Sequence, residues 1–195
     1  MKSGLPSLFI CALLAWACSP VEERIIPEGS LRVALAPFSQ PKTTADLLAG
    51  TLPPESVSVN PDILARLDRD FDLLLAAHSD REFMDRGGSD ACFRQVPRKR
   101  AGAAFHYWLR VGGCLQADLL IVPQLIAWQE EPAAATLDIF LLDIGNSALL
   151  ARSRYDARQS SMLRETPAEA SKAGHSAVER LGLEAMYKAI RNFGL

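Results

Sequence analysis

Three histidines and four cysteines leave this 195-residue chain short of the residues that metal sites and nucleophilic enzymes concentrate. No Cys-x-x-Cys pair or Cys/His zinc spacing occurs, so a zinc ribbon and a thioredoxin-like redox site are excluded. His78, His106 and His175 stand apart, with no HExxH spacing; each reads as a helix-end or half-buried histidine. The serines lack a GxSxG elbow. Gly87-Gly88-Ser89-Asp90 lacks the GKS/T signature of a phosphate cradle and reads as a flexible loop. The apolar runs fall short of the roughly 20 residues that a spanning helix needs. No pair of long alternating hairpins is present to build a membrane barrel. Charge of either sign is not in excess, with 21 Lys+Arg against 23 Asp+Glu. That balance provides no long-range basic field and argues against a nucleic-acid partner.

What is there begins at the N-terminus. Lys2 supplies a positive charge, and Leu5 to Ala17 is apolar apart from Pro6 and Ser7. Ala15-Trp16-Ala17 then leads directly into Cys18. The run is too short for a transmembrane helix and reads as a secretory signal over residues 1–17. The junction resembles the lipobox of bacterial lipoproteins, in which the cysteine becomes the acylated first residue of the mature chain. Ala17 and Cys18 match that pattern; Ala15 stands where leucine is usual and Trp16 where a small residue is usual. The same residues fit the small-x-small site of ordinary signal peptidase, which would release a soluble protein beginning at Cys18. Ser19 follows the cysteine, and the absence of aspartate there resembles the pattern sent to the outer membrane. Without Lys2 the exported chain carries 20 Lys+Arg against 23 Asp+Glu, a formal charge of -3.

Cysteine usage agrees with export. Cys11 leaves with the signal, and Cys18 is the anchor or the free N-terminus. Cys92 and Cys114 remain as a candidate disulfide in an oxidising compartment. By the chain-entropy estimate such a bridge adds roughly 3 kcal/mol. The alternative is two separate thiols, with Cys114 buried beside a strand.

Residues 18–30 read as a tether between anchor and domain, polar after the cysteine and punctuated by Pro20, Pro27 and Gly29. Residues 31–195 read as one domain. Leu31 to Pro37 alternates as a buried strand, and 38–59 as a loop with a short helical turn near Thr44 to Ala49. Asn60-Pro61-Asp62 is a helix start, and Ile63, Leu64, Leu67, Phe71, Leu74 and Leu75 then recur at helical spacing to about His78. Residues 79–100 read as irregular. Ala101 to Leu115 reads as a second helix weakened at Gly112-Gly113. Strands over 119–128, 136–143 and 148–156 with short links predict an antiparallel meander. Pro123 points to a bulge or an edge position in the first of them. A capping box at Thr166–Glu169 precedes a terminal helix whose apolar face runs from Val178 to Phe193. The predicted fold class is α/β, an α+β sandwich. Its mixed sheet has about four strands, one N-terminal strand joined through a helical crossover to the meander, packed with about three helices.

Several segments together resemble a known group: RVALAPF (32–38), DILARLDRDFDLL (62–74), ADLLIVPQLIAW (117–128), TLDIFLLDIGNSALLARSRYD (136–156) and the terminal helix. They are similar to periplasmic lipoproteins with the fold of the curli secretion lipoprotein CsgG, of the penicillin-binding-protein activator LpoB, and of the N-terminal domain of TolB. The resemblance implies a role in assembling envelope machinery, regulating wall synthases or forming secretion pores. Fold analogy does not choose among these.

Three further features bear on function. Asp118, Asp138 and Asp143 flank or enter strands; they read as strand-edge aspartates, or as a carboxylate set if they converge. Arg94, Arg98, Lys99 and Arg100 form a local basic patch suited to a solvated loop, to anionic lipid heads or to an acidic partner. Phe105, Tyr107, Trp108 and Leu109 crowd one short segment, as core packing of the second helix or as a protein interface. The leading expectation is a non-catalytic envelope lipoprotein anchored through Cys18, without metal or cofactor, that binds another envelope protein. The alternative is a periplasmic module for a small ligand or wall glycan, which would need a concave pocket. A hydrolase would need the three aspartates, or a Ser/His pair, to converge in a cleft.

Overall fold

A computed structural model describes residues 31–50, 58–78, 83–84, 89–97, 103–129, 134–156 and 177–194. Its sheet has four strands in the order β1 (Val33–Leu35), β2 (Leu119–Gln129), β3 (Ala134–Asp143) and β4 (Ala148–Asp156). β1 runs parallel to β2, and β2, β3 and β4 form the antiparallel meander. Among the described residues four helices accompany the sheet: α1 (Pro61–His78), α2 (Ser89–Gln95), α3 (Ala104–Leu115) and α4 (Ala177–Phe193). The fold is therefore α/β with a mixed four-stranded sheet, as the residue patterns predict.

Strand alternation divides the core between the two faces of the sheet. On the first face Val33, Leu35, Leu119, Ile121, Leu137, Ile139 and Leu141 meet α1 and α4. Leu67, Phe71, Leu74 and Leu75 supply the stripe of α1; Leu183, Met186, Ile190 and Phe193 supply that of α4. Asn60 caps α1 as its sequence predicts, its Oδ1 accepting the Asp62 N–H at 2.9 Å. On the second face Ala34, Leu120, Val122, Phe140 and Leu142 meet Ala104, Tyr107, Trp108 and Val111 of α3.

Four local expectations are corrected. Residues Ser89–Gln95, read as irregular, form α2, which Cys92 ties to Cys114 of α3 through a disulfide. The first strand is shorter than its apolar alternation: it ends at Leu35, and Ser39 rejoins β2 opposite Gln124. Pro123 lies in a central strand; the register shift falls instead between Leu125 and Ala127. Ile121 O, Pro123 O and Leu125 N all bond toward the β1 side. The Pro123 nitrogen therefore faces the same side, where the register would have residue 123 donate to Ala36 O; proline has no N–H to give, and the ladder is broken between Leu35 and Ser39. Gly112 does not weaken α3. A Cβ there would overlap the Ile144 side chain, so glycine is what lets the β3–β4 turn close on the helix.

Candidate functional site

The second face is covered unevenly. Over its β1–β2 half lies α3; beside α3 runs the segment 39–50, which contains one 3-10 turn at Thr44–Asp46. Leu47 is buried, and Leu48 and Ala49 pack against the second core. The fully buried Gln124 holds this strap from below. Its Nε2 donates to Asp46 O at 2.9 Å, and its Oε1 accepts the Leu48 N–H at 3.2 Å. A buried amide satisfied on both its donor and acceptor sides fixes the strap in place, because either bond lost would leave a dry polar atom.

Beyond the strap, β4 presents Leu149, Arg152 and Arg154 on this face. The pairing puts Arg154 opposite Asp138 and Arg152 opposite Phe140. A register shift between Leu141 and Leu142 brings Leu149 opposite Leu142, while Leu150 packs toward the first core. The Asp138 carboxylate is wholly buried and takes both guanidiniums. Arg152 donates from Nη2 at 2.8 Å and from Nε at 3.3 Å. Arg154 donates from Nη2 at 2.6 Å and from Nε at 2.8 Å. The Arg152 guanidinium also lies 5.5 Å from the Phe140 ring centre. Gly50, at φ 92°, closes the strap beside both Nη2 atoms; a Cβ there would sit 3.3 and 3.4 Å from them.

One carboxylate between two guanidiniums leaves the triad with one positive charge in excess, set beside Asp156 two residues further along β4. The arginine side chains are 30% and 45% exposed. Hydrogen bonds to Asp138 raise the Arg154 pKa above its ordinary value, against desolvation; attraction to Asp138 and then Asp156 adds to the rise. A raised cation pKa contributes stability fully below the unfolded value and loses it only as pH climbs through the folded one. For arginine that window lies far above neutrality, so Arg154 stays charged across the physiological range.

The aspartates do not form a catalytic set. The Asp118 carboxylate accepts the Arg32 N–H at 2.8 Å, joining β2 to the start of β1. Asp143 accepts from Asn146 N and Nδ2, each at 2.8 Å, and shapes the β3–β4 turn. Asp138 is spent on the arginines. Tyr107 and Trp108 are buried in the second core, the packing alternative of the two readings. Phe105 is partly buried against the same core, and Arg94 and His106 are exposed. Arg98, Lys99, Arg100, Cys18, His175 and the capping box at 166–169 lie outside the described residues, as does the His78 side chain. Among the described residues, no group of His, Cys, Asp and Glu is placed to hold a metal ion, and no helix is long and apolar enough to cross a membrane.

Sequence reasoning singled out Asp138 but missed its partners. The available signal was the alternation of Arg152 and Arg154 on a strand bound to follow Asp138 in a hairpin, which puts all three on one face.

The likeness to known proteins is one of fold. The LpoB C-terminal domain from Escherichia coli is similar at 10% identity and a TM-score of 0.44, over 67% of this chain and 86% of that one. Lipoprotein GNA1162 from Neisseria meningitidis is similar at 12% identity and a TM-score of 0.42, over 65% and 78%. The PelC dodecamer from Paraburkholderia phytofirmans is similar at 12% identity and a TM-score of 0.42, over 86% and 89%. No protein-family model matches the chain, and no curated protein matches its sequence.

Proposed function

We propose that this protein is a non-catalytic cell-envelope lipoprotein, anchored through Cys18, whose sandwich domain binds another envelope protein. The observation that carries the binding role is the β4 margin of the second face. There Leu149 stays 40% exposed beside two guanidiniums held rigid by a buried carboxylate. Pre-ordered arginines next to an apolar side chain are the composition of a protein-recognition surface, because little side-chain entropy is lost on docking. The Cys92–Cys114 bridge suits an oxidising compartment and so supports export. Anchorage at Cys18, the 18–30 tether and residence at the outer membrane follow from the signal sequence. In this mechanism the acyl chains fix one end, the tether sets the reach, and the domain presents its docking margin.

Two measurements test the reading. The intact mass and N-terminal peptide, taken from membrane and soluble fractions of a diderm bacterium, should show acylated Cys18 in the membrane. An unmodified Cys18 in the soluble fraction overturns the anchor. Photo-crosslinking residues at Leu149 and at Leu73, the most exposed large apolar residue on α1, should capture a protein in cells from Leu149. Capture from Leu73 alone moves the interface to α1, and capture from neither position overturns the protein-binding role.

A further inference from the structure

We infer that the outer edge of β4 accepts an extended, acidic strand from a partner protein, added antiparallel to the sheet. The inference rests on the protein-binding reading above and deepens it by naming the partner's chemistry.

The backbone argument comes from strand parity. On β2 the odd residues bond toward β1, so the even residues bond toward β3. Their partners Asp138, Phe140 and Leu142 use their backbone bonds on β2, which leaves Leu137, Ile139 and Leu141 to bond β4 through Tyr155, Ser153 and Ala151. The N–H and C=O of Arg152 and Arg154 therefore point away from β3, into the edge. Among the described residues no strand pairs with that edge. The opposite edge differs, because Met84 N bonds Val33 O at 2.9 Å and Phe83 bridges Val33. A strand adding to β4 would thus bond the backbones of Arg152 and Arg154 themselves. Its residues directly opposite them would put their side chains on the same face as the guanidiniums.

Charge then selects the occupant. Asp138 engages Nε and Nη2 of each arginine, and one carboxylate against two part-exposed guanidiniums gives the triad a net positive charge; Asp156 is the next residue on the same row. Asp or Glu at the two alternate positions opposite would complete it. A second copy of this chain is disfavoured in the registers centred on Arg152 or Ser153, which set arginine against arginine. Registers centred on Arg154 or Tyr155 would set an arginine against Asp156, and those are the ones that the self-association outcome below tests. Leu149 extends the row with an apolar contact. The partner is therefore an extended segment with acidic residues two apart, followed by an apolar one.

The test uses the detergent-solubilised mature protein and short fluorescent peptides of alternating threonine and glutamate. Two controls replace the glutamates by lysine or one central threonine by proline. Fluorescence anisotropy should show the glutamate peptide binding at least about tenfold more tightly than either control, with an advantage that shrinks as salt is added. Amide exchange at Arg152 and Arg154 should slow on binding. Arg154→Gln should weaken binding, and the peptide charge swap provides the same comparison without altering the protein. Equal affinity for the glutamate and lysine peptides, binding that survives the proline, or no binding overturns the inference, as does β4-mediated self-association without peptide. If Leu149 still captures a protein in cells when the peptides show no preference, the docking role stands and only the acidic strand falls.

Discussion

The two faces of one sheet are finished in different ways. The first is sealed by two long helices, and its core contains Leu67, Phe71, Met186 and Ile190 with almost no surface left. The second is assembled from a short disulfide-linked helix pair, a strap held by one glutamine, and an arginine margin open to water. Both faces are built from alternate residues of the same strands, so the difference does not arise in the sheet. It comes from what the connections lay over it. A face closed by helices is a stability element; a face closed by loops, a crosslink and polar clamps leaves room for a docking margin.

That contrast can be broken from its stronger side first. Phe71→Ala removes a buried ring and its edge-on contact with Phe38, centred 5.9 Å away. Chemical denaturation should show a loss of about 3–5 kcal/mol, in line with other buried aromatic truncations. Replacing Cys92 and Cys114 by alanine should cost about 3 kcal/mol by the loop-entropy estimate. Hydrogen exchange should then accelerate in α2 and α3 before α1 and α4; uniform acceleration would mean that the two layers unfold as one unit. Gln124→Leu strips the strap of both clamps and should cost about 1–3 kcal/mol. The faster exchange should centre on the Leu48 amide, whose acceptor is lost.

Smaller effects sharpen the comparison. Glu184 of α4 is wholly buried and ion-paired with Lys188 at 3.3 Å. Desolvation offsets most of such a pair's attraction, and the lysine is 23% exposed and can reach water. Glu184→Met should therefore change the free energy of unfolding by no more than about 1 kcal/mol, toward stability, because the lysine left behind reaches water. Leu149→Ser should change stability by less than about 0.5 kcal/mol. The same substitution should still weaken partner capture in a pull-down, which separates docking from folding at this position.

Much of the frame is legible in the chain. Asn60-Pro61-Asp62 announces α1, the spacing of Leu67, Phe71, Leu74 and Leu75 gives its buried stripe, and Gly145-Asn146 marks the turn that pairs β3 with β4. Each is a local signal, carried by residues within a turn or two of one another. The candidate bridge between Cys92 and Cys114 is legible as arithmetic, although its role in pinning α2 is not. α2 is not legible because seven residues carry too little periodicity to show a helix.

The Asp138–Arg152–Arg154 cluster was legible only in pieces. Asp138 reads as a strand aspartate, and Arg152 and Arg154 as solvent-facing positions of an alternating strand. Register decides that all three converge, and register is a property of the paired strands. Gln124 looks like a lone polar residue in an apolar run until the strap, 76 residues earlier in the chain, closes over it. Local sequence therefore determined the elements and the faces they bury, because those follow from periodicity and capping between near neighbours. Only the tertiary structure decided which charges meet and what covers each face, because those depend on contacts between residues far apart in the chain.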